Sequence, residues 1–141
     1  MDITIRNLQT KIPIRRLRIK DVIRLVLRHF HITDAEISLV FVAPSRMKAF
    51  NTEYLKHDYV TDVLTFDYTG NGGSLLSGEI VICPSVALNN AKGFGTSVHK
   101  EIELYVVHGI LHLMGYDDHR PTDIARMRKK EREIMRLIVD G

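Results

Sequence analysis

The chain has 141 residues, of which 45% are hydrophobic and 26% charged, with one cysteine and a formal net charge of +3. A chain of this length buries roughly two thirds of its unfolded surface in one folded unit, so it needs no disulfide for stability. Its start, MDITIRNLQTK, lacks the apolar core of a secretory signal, and no stretch approaches the roughly 20 apolar residues of a membrane span. We therefore expect a single domain over residues 1–141, without a membrane partner, in a reducing cytoplasm where Cys83 stays unpaired.

The first half of the chain alternates between strand patterns and helix patterns. Short runs that alternate apolar and polar residues, or are rich in β-branched residues, predict strands, and apolar residues at intervals of three and four predict helices. Proline at a first helical position marks where a helix begins. The predicted elements, in chain order, are a strand over 2–7, a helix over 14–30, a strand over 36–43 and a helix that begins at Pro44.

The second half begins with the run TDVLTFDY at 61–68, whose alternation predicts a strand with Val63 and Thr65 on the face opposite Leu64 and Phe66. The glycine-rich run GNGGSLLSG predicts a loop, and a loop of that length between strands is expected to border a site. The long helix predicted over 98–114 is apolar on nearly all of its faces, which predicts that it is buried. The remaining elements are the loop over 70–78, a strand over 79–83 ended by Pro84, a helix to about 92, the long helix over 98–114 and a terminal helix from 120.

Two histidines four residues apart, His108 and His112, lie in the long helix. That interval places both side chains on one face, with a rise of roughly 6 Å between them. An isolated pair of this kind is more often packed or solvated than bound to a metal. Here, however, Gly115 ends the helix, so the chain can turn back and bring His119 close to the pair. Three imidazoles are the ligand count of an open zinc site, and a metal would satisfy imidazoles on a buried helix. We predict one Zn²⁺ held by His108, His112 and His119, and a hydrolase.

Gly109 follows the first of these histidines directly. In zinc peptidases of the HExxH kind, that position holds the glutamate that acts as general base. The pattern therefore disfavours peptidase chemistry by that route, although two helical histidines, a glycine stop and a third histidine resemble a metzincin site whose base is missing. Another group must then move protons.

Basic residues gather in two runs, KIPIRRLRIKDVIRLVLRH at 11–29 and RMRKKEREIMR at 126–136. Both runs carry apolar residues at helical spacing, so the first interpretation is two amphipathic helices with solvated basic faces. A polyanionic partner, above all nucleic acid, stays open as the second.

Three segments together resemble the YbeY family of single-strand-specific endoribonucleases, which act on bacterial ribosomal RNA. They are HGILHLMGYDDH at 108–119, NTEYLKHDYVTDVLTFDY at 51–68 and GEIVIC at 78–83. The resemblance implies an α+β fold in which a small mixed four-stranded sheet packs with about five helices, one of them a metzincin-like zinc helix. It also implies a zinc site of three histidines and a role in maturing the 3′ end of small-subunit rRNA and in ribosome quality control. Single-stranded RNA and the ribosome are the implied partners, and DNA is not.

The chain departs from the family pattern at the third ligand. The family has one aspartate between the tyrosine and the third histidine, whereas this chain has Asp117 and Asp118 before His119. We assign the ligand to His119, because imidazole is the better zinc ligand beside two others. Asp118 is the alternative ligand, and either aspartate can instead orient a ligand histidine.

A second departure concerns the substrate. The family commonly has an arginine four residues after the asparagine that matches Asn51, and here that position is Leu55. Lys56 and His57 follow and are predicted to bind RNA, with Lys56 also a catalytic candidate, although lysine lacks the bidentate fork of arginine. The alternative is that both are ordinary surface residues.

Two carboxylates complete the candidates. Asp62 matches the family's TD/N position and is predicted to be catalytic, the alternative being that it caps a turn. Glu79 either supports the metal ligands from behind or fills a position on an edge strand. The expected substrate groove lies between the zinc helix and the sheet, with Lys56 and the loop over 70–78 at its rim.

The chemistry and its rivals stay open at this point. RNA cleavage can use a zinc-activated hydroxide or the attack of the RNA's own 2′-hydroxyl. The rivals are a ribosome-assembly factor with a structural zinc, which normally has four protein ligands, and a zinc hydrolase of another substrate.

Overall fold

The computed structural model of the protein describes residues 1–55, 63–69 and 75–138. These residues confirm the predicted α+β fold, with four strands and five α-helices, and a π-helical turn over Asn51–Leu55 continues the second helix. None of the described helices has the length and apolarity required to cross a membrane. The elements in chain order are β1 (Asp2–Asn7), α1 (Arg16–His29), β2 (Ala35–Phe41), α2 (Pro44–Phe50), β3 (Val63–Asp67), β4 (Leu76–Ile82), α3 (Pro84–Phe94), α4 (Val98–Leu113) and α5 (Pro121–Leu137).

The four strands form one mixed sheet in the order β1-β2-β4-β3. The first three strands in that order are parallel, and β3 runs antiparallel to β4. Glu79 pairs with Ser38 on one side and Phe66 on the other, so β4 is an interior strand. The interpretation of Glu79 as an edge-strand residue is therefore wrong.

The two faces of the sheet carry different layers. The larger core lies on the face toward α1 and α4 and includes Ile37, Ile80 and Ile110. A smaller core on the opposite face joins Met47 of α2 to Val81 and to neighbouring strand residues. The buried character predicted for α4 is confirmed, since most of its residues are buried against the larger core. This packing holds α4 rigidly against β4, which positions its histidines.

The predicted boundary that differs most from the structure is the start of β4. The glycine-rich loop was predicted to extend to Gly78, but β4 begins at Leu76, because Leu76, Ser77 and Gly78 pair in register with Ala35, Glu36 and Ile37 of β2. Residues 70–74 of that predicted loop lie outside the described part of the chain.

Cys83 follows β4 and is fully buried in the smaller core. Burial raises the pKa of its thiol, so little thiolate is present at neutral pH. We expect a thiol reagent such as DTNB to modify the native protein at least about 100-fold more slowly than the urea-unfolded protein at pH 7.5. Equal rates in the two states would contradict the burial of Cys83.

Candidate metal centre

The helix α4 begins and ends with well-defined caps. The Ser97 side chain accepts a hydrogen bond from the Lys100 backbone N–H at 3.1 Å, which satisfies one free donor of the first turn. At the other end Gly115 has a φ of +97°, a conformation that favours glycine. The predicted glycine stop is therefore present in the structure.

The turn at Gly115 is a Schellman motif. The N–H of Gly115 donates to the His112 carbonyl at 3.0 Å, and the N–H of Tyr116 donates to the Leu111 carbonyl at 3.0 Å. These bonds reverse the chain directly after the second histidine, and so they decide which of the following side chains returns to the helix.

His108 and His112 lie side by side on the open part of α4. Their ring centroids are 4.6 Å apart with an interplanar angle of 80°, and their side chains are 15% and 24% exposed. The rings therefore border a surface that solvent and a ligand can reach, while most of the helix is buried.

The turn after α4 brings the Asp118 side chain beside His108 and His112. Its Oδ2 lies 3.3 Å from His112 Nε2 and 3.7 Å from His108 Nε2. Ligand atoms of the three residues all lie within 4.8 Å of one another. In a tetrahedral site with bonds of about 2.0–2.2 Å, neighbouring ligand atoms are about 3.3–3.6 Å apart. Two imidazole nitrogens and one carboxylate oxygen thus fit one divalent ion and leave one position open.

His119 points elsewhere. Its side chain is 84% exposed, and its Nε2 lies 3.4 Å from Asp117 Oδ1. Asp117, Asp118 and His119 form a second group of possible ligands, all three at the surface. Asp117 Oδ1 also accepts a hydrogen bond from the Asp118 N–H at 2.7 Å, which fixes the turn. The structure therefore brings Asp118, and not His119, to His108 and His112.

The sequence reasoning missed one residue of this centre, Glu131 of α5. Its Oε2 lies 2.6 Å from His108 Nδ1, and its Oε1 accepts a hydrogen bond from Arg128 Nη1 at 3.0 Å. The sequence contained a signal, because Glu131 continues the helical spacing of the apolar Met127 and Ile134, and the structure buries all three. A glutamate on the apolar face of a helix needs a buried partner.

At neutral pH the surroundings of Glu131 and His112 favour the protonation states that suit metal binding. Burial raises the pKa of Glu131, but the hydrogen bonds from His108 and Arg128 outweigh it and hold that pKa below its usual value. Burial and the nearby His108 lower the pKa of His112, despite the opposing effects of Asp118 and of a hydrogen bond to the Tyr116 backbone. Glu131 is therefore ionised and His112 neutral at pH 7, the forms that orient and donate to a metal.

Gly109 is turned toward Ile80 of β4, about 100° around the helix axis from His108. A Cβ at this position would lie 2.8 Å from Ile80 Cγ2 and 2.9 Å from Ile80 Cδ1. The position that holds the base in HExxH peptidases is thus turned into the sheet here, and only glycine allows α4 to approach β4 this closely. The site has no room for a peptidase base at Gly109.

The described residues include only part of the remaining predicted site. Lys56, His57 and Asp62 lie outside the described residues, and Leu55 is the last residue of the π-helical turn. Glu79 lies next to Gly78 and Ile80, which face α4, so it points to the opposite face of the sheet. The structure therefore separates Glu79 from the two histidines.

The chain is similar over most of its length to proteins named Endoribonuclease YbeY. A family model described as Endoribonuclease YbeY matches residues 4–139. A relative of that name from Chlorobium luteolum is 42% identical over 96 residues, covering 68% of this chain and 69% of the relative. One from Salinibacter ruber is 36% identical over 122 residues, covering 77% and 78%. One from Anaeromyxobacter dehalogenans is 40% identical over 104 residues, and the match covers 73% of this chain but only 54% of that longer protein.

A solved structure agrees with these relatives. The solution structure of TM1509 from Thermotoga maritima superposes with a TM-score of 0.68 and 27% identity, covering 96% of this chain and 88% of that one. The family model, the relatives and the shared fold lead to one conclusion: this chain belongs to the YbeY family of endoribonucleases.

Proposed function

We propose that this protein is a zinc-dependent endoribonuclease that cuts single-stranded ribosomal RNA in the cytoplasm, in the maturation of the 3′ end of small-subunit rRNA and in ribosome quality control. The observation that carries the proposal is the cluster of His108, His112 and Asp118, a three-ligand set at the surface of a buried helix. Family membership supports the reaction class, and the cluster supports a catalytic metal site at these three residues.

The residues of the cluster have separate roles in this proposal. His108 and His112 would hold the ion through Nε2, and Asp118 would hold it through a carboxylate oxygen that also reduces the charge of the site. A divalent ion held here would supply a Lewis acid for a phosphate oxygen and would lower the pKa of a bound water. Asp118 is 41% exposed, so the open side of the cluster faces solvent and an RNA strand can reach it.

The partner of the site is a polyanion, and the distribution of charge favours this. The exposed face of α5 carries basic side chains beginning beside the centre, where Arg128 contacts Glu131. Clustered cations increase affinity for a phosphate backbone and steer its approach. We retain Lys56 and His57 as RNA-binding residues, and Lys56 and Asp62 as catalytic residues, as part of the proposal.

The rival functions have less support. A structural zinc normally has four protein ligands, and the cluster found in the described residues has three. A peptidase of the HExxH kind needs a base at the position of Gly109, which faces Ile80 in the core. No observation favours either rival over the ribonuclease.

The test compares one rRNA fragment in two forms, as a single strand and annealed to its complement. We expect zinc-loaded protein to cut the single strand and leave the duplex intact, and we expect a His112→Ala variant to cut neither. A His29→Ala variant is the control, because His29 is an exposed residue at the end of α1. Equal cleavage by wild type and His112→Ala would show that the nuclease does not use this centre. Elemental analysis of protein never exposed to chelators or nickel resin identifies the metal.

A further inference from the structure

We propose that Glu131 is a positioning residue of the metal centre, which fixes the ring and the proton of His108 so that Nε2 faces the ion. The inference rests on the proposed metal site and adds to it a residue on a different helix. It concerns a contact between α5 and α4 whose two residues are 23 positions apart in the sequence.

The contact is short and enclosed. Glu131 is 3% exposed, and its Oε2 lies 2.6 Å from His108 Nδ1. Its other oxygen accepts from Arg128 Nη1 at 3.0 Å, so both carboxylate oxygens have a cationic or N–H partner. A buried carboxylate is costly unless it is paired in this way. The geometry therefore holds the carboxylate in one orientation, aimed at one nitrogen of one ring.

That orientation selects a tautomer of His108. The Glu131 carboxylate pairs with the Arg128 guanidinium at 3.0 Å, and a carboxylate paired in this way accepts hydrogen bonds, so Nδ1 carries the hydrogen that it donates to Glu131. Nε2 is then left with its lone pair, and Nε2 is the atom that lies 3.7 Å from Asp118 Oδ2. The support of His108 is a side chain that mutation can remove.

A merely structural ion pair between α4 and α5 is the competing explanation, and metal affinity separates the two. We expect Glu131→Gln, which preserves shape but removes the charge, to weaken Zn²⁺ binding by about 10- to 100-fold in competition with a chromophoric chelator. Glu133→Gln is the matched control, because Glu133 is on the same helix and pairs with Lys130 at the surface. Circular dichroism confirms that each variant is folded.

A second measurement needs neither the variant nor the metal. Nitrogen chemical shifts of metal-free wild-type protein report which nitrogen of His108 is protonated, and we expect Nδ1–H. Zinc affinity of folded Glu131→Gln equal to that of wild type, or an Nε2–H tautomer of His108 in wild type, would overturn the inference. The proposed function fails by a different result, in which zinc-loaded wild type leaves single-stranded RNA uncut.

Discussion

Replacing Asp118 with alanine should abolish tight zinc binding and RNA cleavage, whereas replacing His119 with alanine should leave both close to wild type. Asp118 Oδ2 lies 3.3 Å from His112 Nε2, while the His119 side chain is 84% exposed and contacts Asp117. Loss of a direct ligand costs more than loss of a supporting residue, which already costs 10–100-fold, so we expect a loss of affinity of about 100-fold or more for Asp118→Ala.

The measurement is zinc competition for both variants, followed by cleavage of single-stranded RNA at saturating zinc. Asp117→Ala is the matched control for the loss of one carboxylate from the turn, and we expect it to have a smaller effect because Asp117 only supports the turn through the Asp118 N–H. Asp118→His should retain zinc binding, since imidazole is also a zinc ligand. A large loss in His119→Ala with none in Asp118→Ala would restore the ligand set predicted from the sequence.

The difference between Asp118 and His119 shows which features of the metal site can be predicted from residue spacing. The period of four between His108 and His112 and the stop at Gly115 were predictable, because helix geometry and the conformational freedom of glycine fix both. Beyond Gly115 the chain leaves a regular element, and which side chain returns depends on the backbone angles of each turn residue. Ligand preference favoured His119, but the turn places Asp118 beside the pair.

The remaining differences arise from contacts between distant elements. Glu131 joins His108 through the packing of α5 on α4, and nothing near either residue in sequence indicates the partner. The sequence allows Glu79 as a supporting carboxylate, but β4 turns its side chain to the sheet face opposite α4. The type and order of the helices and strands followed from local periodicity, whereas the register and faces of the sheet required the folded chain.

Gly78→Ala should be strongly destabilising, because β4 and α4 approach each other at this position. A Cβ on Gly78 would lie 2.8 Å from the Phe66 backbone oxygen and would overlap the Leu113 side chain. The leucine can rotate only within a packed core, and the Phe66 oxygen belongs to the adjacent strand, so the clash requires movement of backbone. We expect a loss of about 3 kcal/mol in the free energy of unfolding and a melting temperature lower by about 10 °C.

Gly93→Ala in α3 is the matched control, since a Cβ there would have no neighbour within 4 Å. Alanine is the better helix former by up to about 1 kcal/mol, so this variant should be neutral or slightly more stable in urea and thermal unfolding. Leu113 directly follows His112, so the strain from Gly78→Ala acts beside a metal ligand. Zinc affinity should therefore fall in folded Gly78→Ala and stay unchanged in Gly93→Ala. Wild-type stability in Gly78→Ala would mean that α4 does not pack against β4 this closely, and the position of the histidines would need a different support.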